Sequence, residues 1–210
     1  FSTLLAKDEI PVAERRPPGT AEVTHDRGQA VLNDTQETEP GPGCAERVEM
    51  FGDPGGRGTV RAALEATCGL LGTGEFPEAE RGLEVWQEAG AQIRVAVFEL
   101  TGVEASTRVE TIADSDAEQI VMELNPRFQF EPGFRAAPMV IHELVHLGAS
   151  WPGEAVDADA ELAAMQAQHR ACETLNFDIE PPRGCLDAAL LVDAPDAIEQ
   201  LVDAGYRRDP

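Results

Sequence analysis

The chain has 210 residues, enough for one domain with a proper core and an attached arm. A hydrophobic fraction of 42% suits a globular protein, and no apolar run reaches the length of a membrane span, which argues against membrane insertion. The net charge of -23 repels nucleic acid and anionic membrane surfaces, so neither is an expected partner.

The basic residues are almost all Arg, with Lys7 the only lysine, and the acidic excess is first of all a solubility feature. Cys44, Cys68, Cys172 and Cys185 form no C-x-x-C pair, which argues against a zinc knuckle or a thioredoxin-like motif. An even count at wide spacing suits two disulfides in an oxidising compartment, hence a secreted, periplasmic or cell-surface protein. Cys172 and Cys185 flank the turn Pro181-Pro182-Arg183-Gly184, and Cys44 with Cys68 is the pair that remains. The alternative is four reduced thiols, some of them buried.

Residues 1–57 are rich in Pro, Gly, Glu and Thr, with breakers at Pro17-Pro18-Gly19 and Pro40-Gly41-Pro42-Gly43. Such a segment buries too little apolar surface to offset its ordering entropy, so an extended arm is expected there. Residues 58–210 form the expected domain. Val60, Leu64, Thr67 and Leu71 recur at helical spacing, which predicts a helix over 59–71. A second helix is predicted over 78–89, with Leu83 and Trp86 on one side and Gly90 as its stop. The alternation in 93–100 predicts a strand, 101–116 reads as a polar connection, and 119–124 predicts a second strand closed by Asn125-Pro126. Pro138 opens a helix that reaches about Ala149, where Gly148 and Trp151-Pro152-Gly153 end it. A longer helix is predicted from about 155 to 175, and 185–204, broken at Pro195, reads as one or two short helices. This order predicts an α+β fold with a small sheet.

The chemistry is concentrated in His142-Glu143-Leu144-Val145-His146. Two histidines four residues apart share one helix face, one turn above the other, so their imidazoles can converge on one ion. Zinc favours such nitrogen ligands, and a catalytic site takes three protein ligands and keeps one position open for water. Glu143 then stands as the general base that relays the water proton to a leaving amine. Val140, Leu144 and Leu147 form the apolar stripe that buries this helix, with the histidines on the other flank.

The run HELVH, in a buried helix preceded by strands, resembles the zincin superfamily of zinc metallopeptidases, over about residues 136–176. The resemblance implies a small zincin-like domain: a short sheet packed on the HExxH helix, a following helix carrying the third ligand, and a sheet edge that receives an extended peptide or protein substrate. It also implies one Zn2+ ion and hydrolysis of peptide bonds by a zinc-bound water. The metzincin pattern fails, because Ala149 and Pro152 stand where its glycine and third histidine belong. The gluzincin pattern takes a Glu from the next helix, and Glu161, in Glu161-Leu162-Ala163-Ala164, fits it best. Asp157 is the competing ligand or a residue that orients a histidine from behind. The aspzincin signature before it is missing, since Glu154-Ala155-Val156 stand there, and Glu154 and Asp159 read as a solvated face.

No Lys or Arg lies between Arg135 and Arg170, an acidic surround that suits a divalent cation and cationic substrates. His169, Arg170 and Tyr206, the only tyrosine, are the candidates for a transition-state donor, though none has a motif around it; His25 in the arm is incidental. The alternative function is a non-catalytic binding or scaffold protein that keeps a degenerate zincin fold. A third reading lays the arm across the cleft as an inhibitor, with Cys44 as a zinc-blocking thiolate.

Overall fold

The computed structural model describes residues 44–97, 103–111, 118–150, 156–177 and 180–208. Every element below falls in the unit Pro40–Pro210. The arm up to residue 43 with His25, the end of the strand expected at 98–100, the Asp114-Ser115-Asp116 segment, the Trp151-Pro152-Gly153 turn and Glu154 lie outside the described residues.

The domain begins earlier than position 58. Glu49–Phe51 form strand β1, and helix α1 runs from Pro54 to Leu71. Asp53 explains the early start: its Oδ1 accepts the Gly56 N–H at 2.9 Å, and Pro54 takes the first helical position, where it loses no bond. The Pro54-Gly55-Gly56 run, placed in the arm by the sequence, is therefore a capped first turn of a helix expected to start at 59. Helix α2 spans Pro77–Glu88, and strand β2 spans Gln92–Val95.

The stretch expected to be a polar connection holds a strand instead, β3 at Ala105–Thr111. Its side chains are half-buried or exposed, so no apolar alternation marks it, and its order comes from backbone pairing to β4, Glu118–Leu124. The four strands lie in the order β1-β2-β4-β3. β1, β2 and β4 are parallel, while β3 is antiparallel to β4, with Thr107 opposite Met122. Among the described residues β3 is therefore an edge strand.

Ile93, Ile120, Met122 and Leu124 join the main apolar core, the alternating face of the sheet that meets the helices. The next residues in register, Arg94, Arg108, Glu110 and Glu123, make a charged network on the other face, with Arg94 Nη2 at 2.8 Å from Glu110 and 2.7 Å from Glu123. After short 3-10 turns at Pro126–Phe130 and Gly133–Ala136, helix α3 runs from Ala137 to Ala149. Val140 and Leu144 are fully buried and Leu147 nearly so, as expected, but Met139, Ile141 and Val145 are buried too. α3 is thus a central helix rather than one with a single buried stripe.

Glycines bring α2 and α3 into backbone contact. A Cβ on Gly82 would lie 1.7 Å from the Leu144 carbonyl oxygen, and one on Gly148 would lie 2.3 Å from the Glu78 carbonyl oxygen. Gly148 accordingly lies inside α3 as a packing residue, not as its terminator. Trp86 on α2 is buried and donates its Nε1–H to the Ile120 carbonyl at 2.9 Å, which ties α2 to β4.

Helix α4 spans Ala158–Leu175, α5 spans Arg183–Val192 and α6 spans Ala197–Asp203, with Pro195 between the last two. Cys44 is bonded to Cys68 and Cys172 to Cys185, the expected pairing. The first joins the chain before β1 to α1, and the second joins α4 to α5. Cys44 is therefore not available as a blocking thiolate. No helix among the described residues is long and apolar enough to cross a membrane.

Candidate metal centre

The site is built where α3 and α4 pack against each other. His142 and His146 project one turn apart from α3, and their Nε2 atoms lie 3.0 Å apart. Glu161 faces them from α4: His146 Nε2 is 3.1 Å from Oε2, and His142 Nε2 is 3.7 Å from Oε1. The three donor atoms lie within 4.8 Å of one another, and this group could hold a metal ion. Glu161 is only 5% exposed, and a buried carboxylate at this position needs partners of opposite charge.

Glu161 reaches the site from one turn into α4, not from two, because the helix begins at Ala158 rather than near residue 155. Asp157 is the cause. Its Oδ1 accepts the Ala160 N–H at 2.7 Å and its carbonyl accepts the Glu161 N–H at 3.0 Å, so it caps the helix and sets the angle at which Glu161 leaves it. It lies outside the three-residue group, and its Oδ1 serves the cap.

Glu143 lies between the two histidines in sequence and turns its carboxylate toward the sheet edge. There Thr107 Oγ1, on β3, donates to Glu143 Oε2 at 2.7 Å. Thr107 was not foreseen. The only signal for it was the β-branched alternation Thr107, Val109, Thr111 within a polar run.

The charges are strongly coupled. Burial holds the His142 imidazole below its ordinary pKa, against the pull of Glu161 and Glu143. Burial acts the same way on His146, but the hydrogen bond to Glu161 and the two carboxylates outweigh it and the net shift is upward. Burial would raise Glu161, yet its hydrogen bonds to His146 and Tyr206 and the two imidazoles hold it below the usual carboxylate range. A deprotonated carboxylate facing two imidazole Nε2 atoms is the donor chemistry a divalent cation needs. Among the described residues both Nδ1 atoms are buried, and no carboxylate stands behind either ring; for His142 the hydrogen-bonding neighbour is the Gln168 side chain. Gln168, buried two turns beyond Glu161, lies beside His142 and donates to the Gly184 carbonyl at 2.7 Å.

Of the three donor candidates, only Tyr206 comes to the site. Its half-buried phenol hydrogen-bonds to Glu161, and burial beside Glu161 and Glu143 pushes its pKa up. His169 Nε2 lies 3.7 Å from Glu173 on its own helix, and the Arg170 guanidinium lies over the Phe76 ring at 5.8 Å.

The fold and site therefore define an α+β domain in which two histidines and a glutamate from adjacent helices form a group that could hold a metal ion. Comparison with known protein families, with curated proteins and with solved structures finds no match to this chain.

Proposed function

We propose that this protein is a zinc-dependent metallopeptidase with a zincin-like, gluzincin-type site. The observation that carries the reading is the placement of Glu143: its carboxylate is held by Thr107 of an edge strand and acts electrostatically on both imidazoles of the three-residue group. Ligand atoms about 2.0–2.1 Å from one tetrahedral zinc sit roughly 3.3 Å apart, and separations of 3.0, 3.1 and 3.7 Å fit that spacing. His142, His146 and Glu161 are the three ligands. Zinc, when bound, acidifies a coordinated water and polarises the scissile carbonyl.

The protein's own residues supply the rest. Glu143 accepts the proton of the attacking water on the carboxylate that Thr107 holds, then delivers it to the leaving amine nitrogen. β3 offers backbone N–H and C=O groups along its outer edge, and an extended peptide pairs there as an added strand. Two disulfides support a secreted, periplasmic or cell-surface setting.

The test is metal analysis of the purified chain together with hydrolysis of a quenched-fluorescence peptide mixture. One zinc per chain and activity that is lost to chelator and restored by zinc are expected. Glu143→Gln should keep the zinc and lower hydrolysis by about 10²–10⁴-fold. A zinc-loaded Glu143→Gln protein of undiminished activity would sink the mechanism, and a zinc-loaded wild type without hydrolysis on any peptide would favour a binding protein.

A further inference from the structure

The geometry points to Tyr206 as a positioning residue for the metal centre, one that fixes the Glu161 carboxylate through its phenol and is itself fixed by the chain after α6. The inference rests on reading Glu161 as a metal ligand and adds a determinant of metal affinity outside the helices that carry the ligands.

Three contacts build the clasp. The Tyr206 N–H donates to the Leu201 carbonyl at 3.1 Å, and Leu201 is only 1% exposed, so the Tyr206 backbone is anchored to the buried side of α6. The Arg207 carbonyl accepts the Ala158 N–H at 2.7 Å, within a parallel bridge between Asp157 and Arg207. That N–H belongs to the first residue of α4, one of the donors a helix cannot satisfy internally. Between these anchors the Tyr206 phenol hydrogen-bonds to the Glu161 carboxylate. The same short segment therefore holds the backbone of the first turn of α4 and the side chain that the turn presents.

The energetic logic follows from the carboxylate. Glu161 has two rotatable ends of approach to the imidazoles, with oxygens at 3.1 Å from one ring and 3.7 Å from the other. A phenol O–H on that carboxylate restricts its rotation before the ion arrives, so less ordering remains to be done on binding. Hydrogen-bond partners behind metal ligands are typically worth 10–100-fold in affinity. Among the described residues no carboxylate stands behind either imidazole, whereas Glu161 has the Tyr206 phenol on its carboxylate.

The experiment compares wild type and Tyr206→Phe, both as the full chain with disulfides intact. Phenylalanine keeps the ring and removes only the hydroxyl. Zinc affinity is read by competition with a chromogenic chelator, the ligand field by the visible spectrum of the cobalt-loaded protein, and folding by the melting temperature of the metal-free protein. We expect 10–100-fold weaker zinc binding and an altered cobalt spectrum, from a metal-free protein that still unfolds cooperatively at a modestly lower melting temperature. In a Glu161→Gln background the same substitution should change zinc affinity far less, because the phenol acts through the carboxylate. A wild type that binds no zinc overturns the metal reading itself. A zinc-binding wild type matched within about twofold by Tyr206→Phe overturns the Tyr206 assignment alone. Unchanged affinity and spectrum with a lowered kcat also overturns it, and places the phenol on the substrate instead.

Discussion

Thr107 on β3 and Glu143 on α3 are joined by a 2.7 Å hydrogen bond, in which the threonine hydroxyl donates to Oε2 of the carboxylate. This bond connects the sheet edge to the residue we assign as general base. A hydroxyl donor to a carboxylate is a charge-assisted bond, worth about 1.5–3 kcal/mol, and here it also selects a carboxylate orientation. Thr107→Val removes the donor at nearly constant volume. The expected result is a fall in kcat/KM of about tenfold or more, with zinc stoichiometry and affinity unchanged. Thr107→Ser should restore most of the loss. Equal kcat/KM for the valine and wild-type proteins would show that the bond has no part in orienting Glu143.

The sequence makes some of this site plain and hides the rest for physical reasons. Two histidines at i and i+4 share a face whatever surrounds the helix, so His142, Glu143 and His146 can be read from local geometry. Glu161 can be read from the return of the next helix, but its depth in that helix cannot, because Asp157 sets the start by capping. β3 hides because an edge strand with half-buried faces needs no apolar alternation, and Thr107 hides with it. Tyr206 reaches Glu161 only through the path of the last helix and the bridge at Arg207, which no local pattern encodes. Asp53 shows another limit: the apolar spacing begins only at Val60 and predicts a helix from 59, yet one side-chain cap starts it at Pro54.

The crossing of α2 and α3 sets where the two histidines stand, and Gly82 permits it. A Cβ there would lie 1.7 Å from the Leu144 carbonyl oxygen, a backbone atom that cannot swing aside. Gly82→Ala must push α3 away from α2 or distort both. Overpacking of this kind costs typically 1–3 kcal/mol and sometimes more. Gly69→Ala is the control, since nothing lies within 4 Å of the added methyl on exposed α1 surface, and helix propensity favours alanine by about 0.5–1 kcal/mol. Urea denaturation should therefore show a lower midpoint for Gly82→Ala and an equal or higher one for Gly69→Ala. Zinc affinity should fall in the first protein only, because Leu144 lies between His142 and His146. If Gly82→Ala retained wild-type stability, the helices would not be in the close contact described.

Glu104 should give a pH-dependent stability that is separate from the candidate metal centre. Its carboxylate is largely buried at the start of β3, where Oε1 accepts from Arg127 Nη2 and from the Gly184 N–H at 3.1 Å. Oε2 is buried with no hydrogen-bond partner among the described residues. Burial raises its pKa above the ordinary 4.5 and outweighs the opposing pull of Arg127 and the Gly184 N–H. The folded protein therefore keeps a proton that the unfolded chain releases near 4.5. Below that pH both states are protonated and the contribution is fully present. As pH rises from there through the raised folded value, the contribution is lost and stability falls. Glu104→Gln holds the side chain in a neutral form and removes this dependence. Urea midpoints measured from about pH 4.5 to about pH 7 should decline less with pH in Glu104→Gln than in wild type, the remaining carboxylates contributing equally to both. Parallel profiles for the two proteins would mean that Glu104 titrates alike in the folded and unfolded chains.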